Sequence, residues 1–272
     1  MTPEDLSFVA DLVRAHAGVV IRSDKAFFIE TRLGGVARRE KSPGVEALLD
    51  QLRRSGDPSL TRQVVEAILL QETSFFRDRT IFSHLQTSVL PELAARRKSG
   101  LRILSAGCAA GQEAYSIAML AAEVAPITSV EIIALDFGGR LLEKARTGIY
   151  SHFEVQRGLP IRRLLSSFEA MDENWRVRPA LRQSIQWVEH NLLDDTSGFG
   201  VFDLVLCRNV MAPMTPEAAK RVTESMETAC GADGALVVGA REAPTLSAAF
   251  SPAGVRGLWR RNPAFEQSAA RN

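Results

Sequence analysis

The sequence predicts an α/β fold: a Rossmann-like, doubly wound domain behind a helical N-terminal domain, with a small β insertion. Three observations carry this. From Leu101 onward, short apolar runs rich in β-formers alternate with helical patterns. The first of those runs ends in a turn of very small residues that opens directly into a helix. Residues 1–99, by contrast, show helical periodicity only. The 272 residues suffice for one large α/β domain and a smaller one. With 46% hydrophobic and 24% charged residues, there is ample apolar surface for a core.

Thr2-Pro3-Glu4-Asp5 reads as a helix start: a threonine cap, proline in the first turn, then acids favoured by the helix dipole. Leu6, Val9, Ala10 and Val13 follow at helical spacing, and Gly18 is the expected stop. Lys25 to Arg39 repeats the pattern with Phe28, Leu33 and Val36. Further helical stretches run from Gly44 to Arg54, from Ser59 to Leu70 and from Thr80 to Lys98; Pro91 is expected to break or bend the last. The polar junction Arg96-Arg97-Lys98-Ser99-Gly100 divides a domain 1–99 from a domain 100–272. LRILSA, VEIIALDF, FDLVLCRN and ALVVGA are then read as strands. AYSIAMLAAEVA, GRLLEKARTGIY and a segment opening at Thr215-Pro216-Glu217 are read as helices. At about 150–188 the alternation lapses, which marks the insertion, with short strands expected around Asn174–Arg178 and Ser184–Val188.

A net charge of +1 creates no global field for nucleic acid or an anionic membrane. Cys108, Cys207 and Cys230 are odd in number and far apart, so neither zinc nor a disulfide framework is expected. Buried thiols in a reducing compartment are the simplest reading. The N-terminus MTPEDLSFVADLV carries acids where a signal peptide needs basic residues. No apolar run approaches the roughly 20 residues needed to span a bilayer. The expectation is a cytoplasmic monomer that holds no metal, binds no nucleic acid and is not itself a membrane protein.

The most informative stretch is Ser105-Ala106-Gly107-Cys108-Ala109-Ala110-Gly111-Gln112-Glu113. A ligand binds outside the carboxyl end of a first strand, and Gly107 and Gly111 let the backbone approach it closely. A turn glycine that serves packing alone is an equal alternative. The next strand ends in Asp136, about 25 residues past the turn, where a carboxylate can accept two hydrogen bonds from ribose hydroxyls. Its alternative role is to cap the following helix. The turn is not GxGxxG, and its helix opens with Gln112-Glu113. An acid there is a poor neighbour for pyrophosphate but suits a cationic sulfonium or ammonium group. S-adenosylmethionine, with S-adenosylhomocysteine as product, is therefore the expected cofactor.

Several motifs in order resemble the chemotaxis receptor methyltransferases, the CheR family. They are Glu72-Thr73-Ser74-Phe75-Phe76-Arg77-Asp78, SAGCAAGQEAYSIAML from Ser105, Ala134-Leu135-Asp136 before LLEKARTGIY, His190-Asn191-Leu192-Leu193, and Phe202-Asp203-Leu204-Val205-Leu206-Cys207-Arg208-Asn209-Val210-Met211. The resemblance implies a Rossmann-like S-adenosylmethionine-dependent methyltransferase domain. It implies methyl transfer to glutamate side chains on the cytoplasmic helices of chemoreceptors, or on another signalling protein. A glutamate carboxylate is already ionised at neutral pH, so this chemistry needs alignment and water exclusion more than an acid or base. Arg77 would hold a carboxylate bidentately, the cofactor's or the incoming glutamate's. Glu113 would bind the cofactor's amino end, Asn191 and Leu192 would border the adenine, and Arg208 and Asn209 would line the cleft. Thr73, Gly107, Cys108, Asp136 and Phe137 complete the implied cofactor contacts. Arg77, Arg208 and Asn209 form the implied catalytic set. For Asn191 and Asn209 loop capping is the alternative, and Cys108 also reads as a buried small hydrophobe.

The chain departs from the family pattern at several points. Leu70-Gln71 replaces Thr-Asn, and Gly111-Gln112-Glu113-Ala114 replaces Gly-Glu-Glu-Pro. Ala212-Pro213-Met214 replaces Ile-Tyr-Phe, and Gly239-Ala240-Arg241-Glu242 replaces Gly-His-Ser-Glu. A cofactor-binding regulatory protein of the same fold without turnover therefore stands as the alternative. Arg32, Arg38, Arg39, Lys41, Arg53 and Arg54 offer the N-terminal helices a basic surface for an acidic partner, or simply a solvated face.

Overall fold

The computed structural model describes residues 1–69, 72–97, 100–124, 129–240, 242 and 246–261. Leu70, Gln71, Arg241, and Lys98 and Ser99 of the expected junction lie outside the described residues. The chain forms two compact units, Met1–Leu70 with Pro213–Ala219, and Gln71–Ala212 with Lys220–Asn272.

In the first unit, Pro3–Ala17 (α1), Ala26–Arg39 (α2), Val45–Ser55 (α3) and Pro58–Ile68 (α4) are helices. Thr2 caps α1 in a capping box with Asp5, and Gly18 ends it in the left-handed region at φ +67°. Val9, Val13, Ile29, Leu33, Leu48, Leu52 and Val64 recur at helical spacing and are buried. The short segment Pro213–Ala219 joins this unit: Val20 donates its N–H to the Pro213 carbonyl at 2.8 Å, and Thr215 donates to Gly18 at 2.7 Å.

The second unit begins with one helical run, Arg79–His84 (α5) and Leu90–Arg96 (α6), joined by a π-helical stretch at Leu85–Val89. Pro91 does not break this run. Its missing N–H leaves a carbonyl of the preceding turn without a donor, and the shift to π geometry absorbs the defect. Helical periodicity alone groups this run with the N-terminal helices. It lies instead in the second unit, because Leu85, Val89, Leu90 and Leu93 pack into one core with Ile117 and Leu120 of the helix after the glycine turn.

That core is built on Leu101–Ala106 (β1), the helix Gln112–Val124 (α7), Val130–Asp136 (β2), Gly139–Thr147 (α8) and Ile149–Ser151 (β3). The insertion follows as His152–Gln156 (α9), Ile161–Ser167 (α10), Phe168–Met171 (β4), Asn174–Val177 (β5) and Pro179–Gln183 (α11). Ile185–Glu189 (β6), Phe202–Cys207 (β7), Pro216–Ala229 (α12), Cys230–Val238 (β8), Phe250–Pro252 (β9) and Leu258–Arg261 (β10) complete the chain. The first turn of α12 belongs to the first unit. The main sheet has the order β6-β2-β1-β7-β8-β10-β9, and a separate three-stranded sheet has the order β3-β5-β4. Strands β6, β2, β1, β7 and β8 run parallel, and β10 and β9 close the edge antiparallel. The parallel order reverses at β1, which places the carboxyl ends of β1, β2 and β7 around one crevice.

The expected strand Ser184–Val188 is not part of the insertion. Ile185–Glu189 pairs in parallel with Ile132–Asp136 at the edge of the main sheet. Its alternating side chains suit either sheet, and the pairing register with β2 decides between them.

Candidate active site

The turn between β1 and α7 is built for close approach. Gly107 stands at φ +74° and Gly111 at φ +89°, and Ala109 is also left-handed at φ +49°. A Cβ on Gly107 would lie 2.4 Å from Val210 Cγ2, and one on Gly111 would lie 2.8 Å from both Ala145 Cβ and Trp187 Cη2. Both glycines are therefore required by packing as well as by φ. Gly107 and Cys108 donate their N–H groups to the Leu135 carbonyl at 2.8 and 3.0 Å, which ties the turn to β2.

Asp136 is buried at the tip of β2. Its Oδ2 accepts the Ala109 N–H at 2.7 Å and its Oδ1 accepts the Gly138 N–H at 2.8 Å. The carboxylate thus braces the glycine turn and the entry to α8 together. The Asp136 carbonyl accepts the His190 N–H at 2.9 Å, joining the loop after β6 to the same strand end. In that loop Asn191 Oδ1 accepts the Leu193 N–H at 3.1 Å, the local capping role weighed for it, and Leu192 is buried. Phe137 is half-buried beside Asp136.

A second cluster centres on Arg208, whose side chain is 2% exposed. Its Nη1 donates to Glu113 Oε2 at 2.9 Å, while Nη2 donates to Asp78 Oδ2 at 2.6 Å and to the Arg77 carbonyl at 2.9 Å. The guanidinium also stands over the Phe82 ring at 5.4 Å. Glu113 Oε1 accepts from Ser105 Oγ at 3.0 Å. The end of β1, the start of α7, the end of β7 and the Phe75–Asp78 turn therefore meet on one buried cation.

Phe75 and Phe76 aim that turn. Phe75 is fully buried, edge-on to Tyr150 at 5.0 Å and to Phe168 at 5.6 Å, and the Phe76 N–H donates to Ser116 Oγ at 3.0 Å. Phe76 and Asp78 both adopt positive φ, at 48° and 62°. Arg77 between them is half-buried, and its Nη1 donates to the Glu72 carbonyl at 3.1 Å. Thr73 lines a pocket beside the glycine turn with Ala110, Gln112, Leu141, Lys144, Phe153, Glu154 and Arg157. In that pocket's wall the buried Gln112 Oε1 has no hydrogen-bond partner.

Asn209, at φ +60°, begins the third cluster. Its N–H, with those of Met211, Ala212 and Gly239, converges on Glu242. In the sequence Glu242 is only the last residue of Gly239-Ala240-Arg241-Glu242, and no local pattern announces a carboxylate that collects donors from two strand ends. Cys108 is buried, and burial together with the Asp136 and Glu113 carboxylates pushes its thiol well above the ordinary range. It is a packing residue of the turn, not a nucleophile.

A doubly wound sheet with this small-residue turn after β1, and with carboxylates at the start of α7 and the tip of β2, defines a Rossmann-type methyltransferase that uses S-adenosylmethionine. Residues 71–254 match the family described as CheR methyltransferase, SAM binding domain. The chain belongs to the CheR methyltransferase family. It is similar to chemotaxis protein methyltransferase 1 of Pseudomonas aeruginosa, 35% identical over 83% of this chain and 85% of the relative. The chemotaxis protein methyltransferase of Vibrio parahaemolyticus is 31% identical over 86% of each chain. Chemotaxis protein methyltransferase Cher2 of Pseudomonas putida is 31% identical over 83% of this chain and 85% of the relative. Among the described residues no helix is long and apolar enough to cross a membrane.

Proposed function

We propose that this methyltransferase esterifies glutamate side chains on the cytoplasmic helices of chemoreceptors, or of a receptor-like signalling protein, giving γ-methyl esters. The observation that carries this reading is the match to relatives named chemotaxis protein methyltransferases across most of both chains. The donor set supports it. S-adenosylmethionine supplies an electrophilic methyl group on a sulfonium, and its parts suit the residues present. Asp136 is assigned to the ribose hydroxyls, Glu113 to the ammonium group, and Asn191 and Leu192 to the adenine. Thr73, Gly107, Cys108 and Phe137 are assigned to the walls of the same cleft. Gly107 and Gly111 leave no Cβ in the cradle, and the unpartnered Gln112 Oε1 lies beside it.

Arg77 is the residue assigned to a carboxylate, because its guanidinium donates to the Glu72 main-chain carbonyl and can exchange that for a bidentate anion. Arg208 and Asn209 line the reacting side, where Arg208 holds Glu113 in position through Nη1. The nucleophile arrives as a carboxylate, so alignment and exclusion of water supply the catalysis. The helical N-terminal unit is assigned to substrate docking. Arg32, Arg38, Arg39, Lys41 and Arg54 are exposed there, whereas Arg53 is engaged by Asp5 at 2.6 Å.

The test supplies S-adenosylmethionine labelled on its methyl group, with receptor cytoplasmic fragments from the same source. Base-labile label on the fragment, falling as salt screens the basic surface, is the expected result. Label that resists base, or none on any fragment, overturns the glutamate assignment.

A further inference from the structure

We propose that Glu242 is the positioning residue that fixes the main chain after β7 in the form the cofactor cleft requires. This deepens the proposed function and rests on its assignment of Asn209 to that cleft. The Glu242 carboxylate accepts four main-chain N–H groups. Oε2 takes Asn209 at 2.8 Å and Gly239 at 2.7 Å, and Oε1 takes Met211 at 2.8 Å and Ala212 at 3.1 Å. Two donors on each oxygen match its two lone pairs. The single side chain thereby ties the Asn209–Ala212 segment to Gly239, the residue that follows β8.

Two further observations support this arrangement. Asn209 stands at φ +60°, in the left-handed region that asparagine tolerates, and in that conformation its N–H meets the Glu242 carboxylate. Gly239 is the second. A Cβ there would lie 2.6 Å from Glu242 Oε2, 2.8 Å from Asn209 Nδ2 and 3.0 Å from the Asn209 nitrogen. Only glycine lets the carboxylate and the Asn209 amide meet at that spot. The chemistry is also specific to a carboxylate: glutamine has the same shape but would turn an NH2 donor toward two N–H donors. Glu242 touches no reacting group in this scheme. It acts through the residues that do.

The test is calorimetric titration of the full chain with S-adenosylhomocysteine, at a temperature where circular dichroism shows every variant folded. Glu242→Gln and Gly239→Ala are each expected to raise the Kd at least tenfold. The double variant Glu242→Gln/Asn209→Ala should bind no worse than the weaker single one, because both changes disable one segment. A Glu242→Gln Kd within twofold of wild type overturns the proposal, even if its melting temperature falls, since that is the mark of a purely structural role. Where Asn209→Ala alone weakens binding, a double variant as weak as the product of the two also overturns it. If Asn209→Ala alone binds normally, the assignment of Asn209 fails instead, and a tenfold loss in Glu242→Gln then supports Glu242 acting through the Met211–Ala212 backbone. Should Glu242→Gln not fold, Gly239→Ala decides by the same criterion.

Discussion

Arg208 shows how much can depend on one residue here. Its guanidinium is buried against Phe82 and pairs with Glu113 and with Asp78, so its removal strands the largely buried Glu113 carboxylate. Breaking a buried pair from one side costs about 3–5 kcal/mol, far more than the pair contributes net. Arg208→Met is therefore expected to lower the unfolding free energy from urea titration by about that amount, while Arg14→Met, whose pair with Asp11 is exposed, changes it little. The cysteines give a second residue-scale expectation. Burial pushes the Cys230 thiol up to about 12 and raises Cys207 and Cys108 as well. An ordinary thiol ionises near pH 9, so unfolded chains lose protons that the folded chain retains. The resulting contribution to stability is complete below pH 9 and is lost as pH rises toward 12. Native protein at pH 9 should resist alkylation at all three positions, and the melting temperature should decline steadily above that pH. Rapid labelling of native Cys108 would show that its thiol is not sealed.

At the scale of elements, the strand–turn–helix unit from β1 to α7 is where substitution is least forgiving. Gly111→Ala adds a Cβ at φ +89° against Ala145 and Trp187, so backbone strain and overpacking combine to about 2–4 kcal/mol. Gly198→Ala, which would meet nothing within 4 Å, should stay within about 0.5 kcal/mol of wild type. Denaturant titration of both variants checks the contrast. This unit was also the most legible part of the sequence, since an apolar run, a glycine turn and a helical pattern are all local signals. The same holds for α1, where Thr2, Asp5 and Gly18 announce both ends. Other elements were not legible, for identifiable reasons. Helices α9, α10 and α11 have five to seven residues, too few to display a helical period. Strand β6 alternates in a way that fits two different sheets, and only its pairing with β2 chooses. Within the site, the glycines, Asp136 and Arg77 carry local signatures. The convergence of Arg208 on Glu113 and Asp78, and of four amides on Glu242, joins residues far apart in sequence and leaves no local trace.

For the whole molecule, the division into units follows burial and not chain order. The main sheet has its own core, in which the α5–α6 run takes part, so a chain that begins at residue 72 should keep slow hydrogen exchange at Ile103, Leu104, Leu204 and Leu206. The same truncation removes Gly18, the acceptor for the Thr215 amide, and that amide should exchange rapidly. Global loss of protection would show instead that the sheet cannot fold alone. The dependence of Pro213–Ala219 on the N-terminal helices has an evolutionary corollary. A gene rearrangement that replaced the first seventy or so codons with another helical module would arrive without its matching peptide, which is encoded far downstream inside the other unit. The N-terminal unit is therefore poorly suited to shuffling between lineages, and its exposed helix faces should diversify by point substitution.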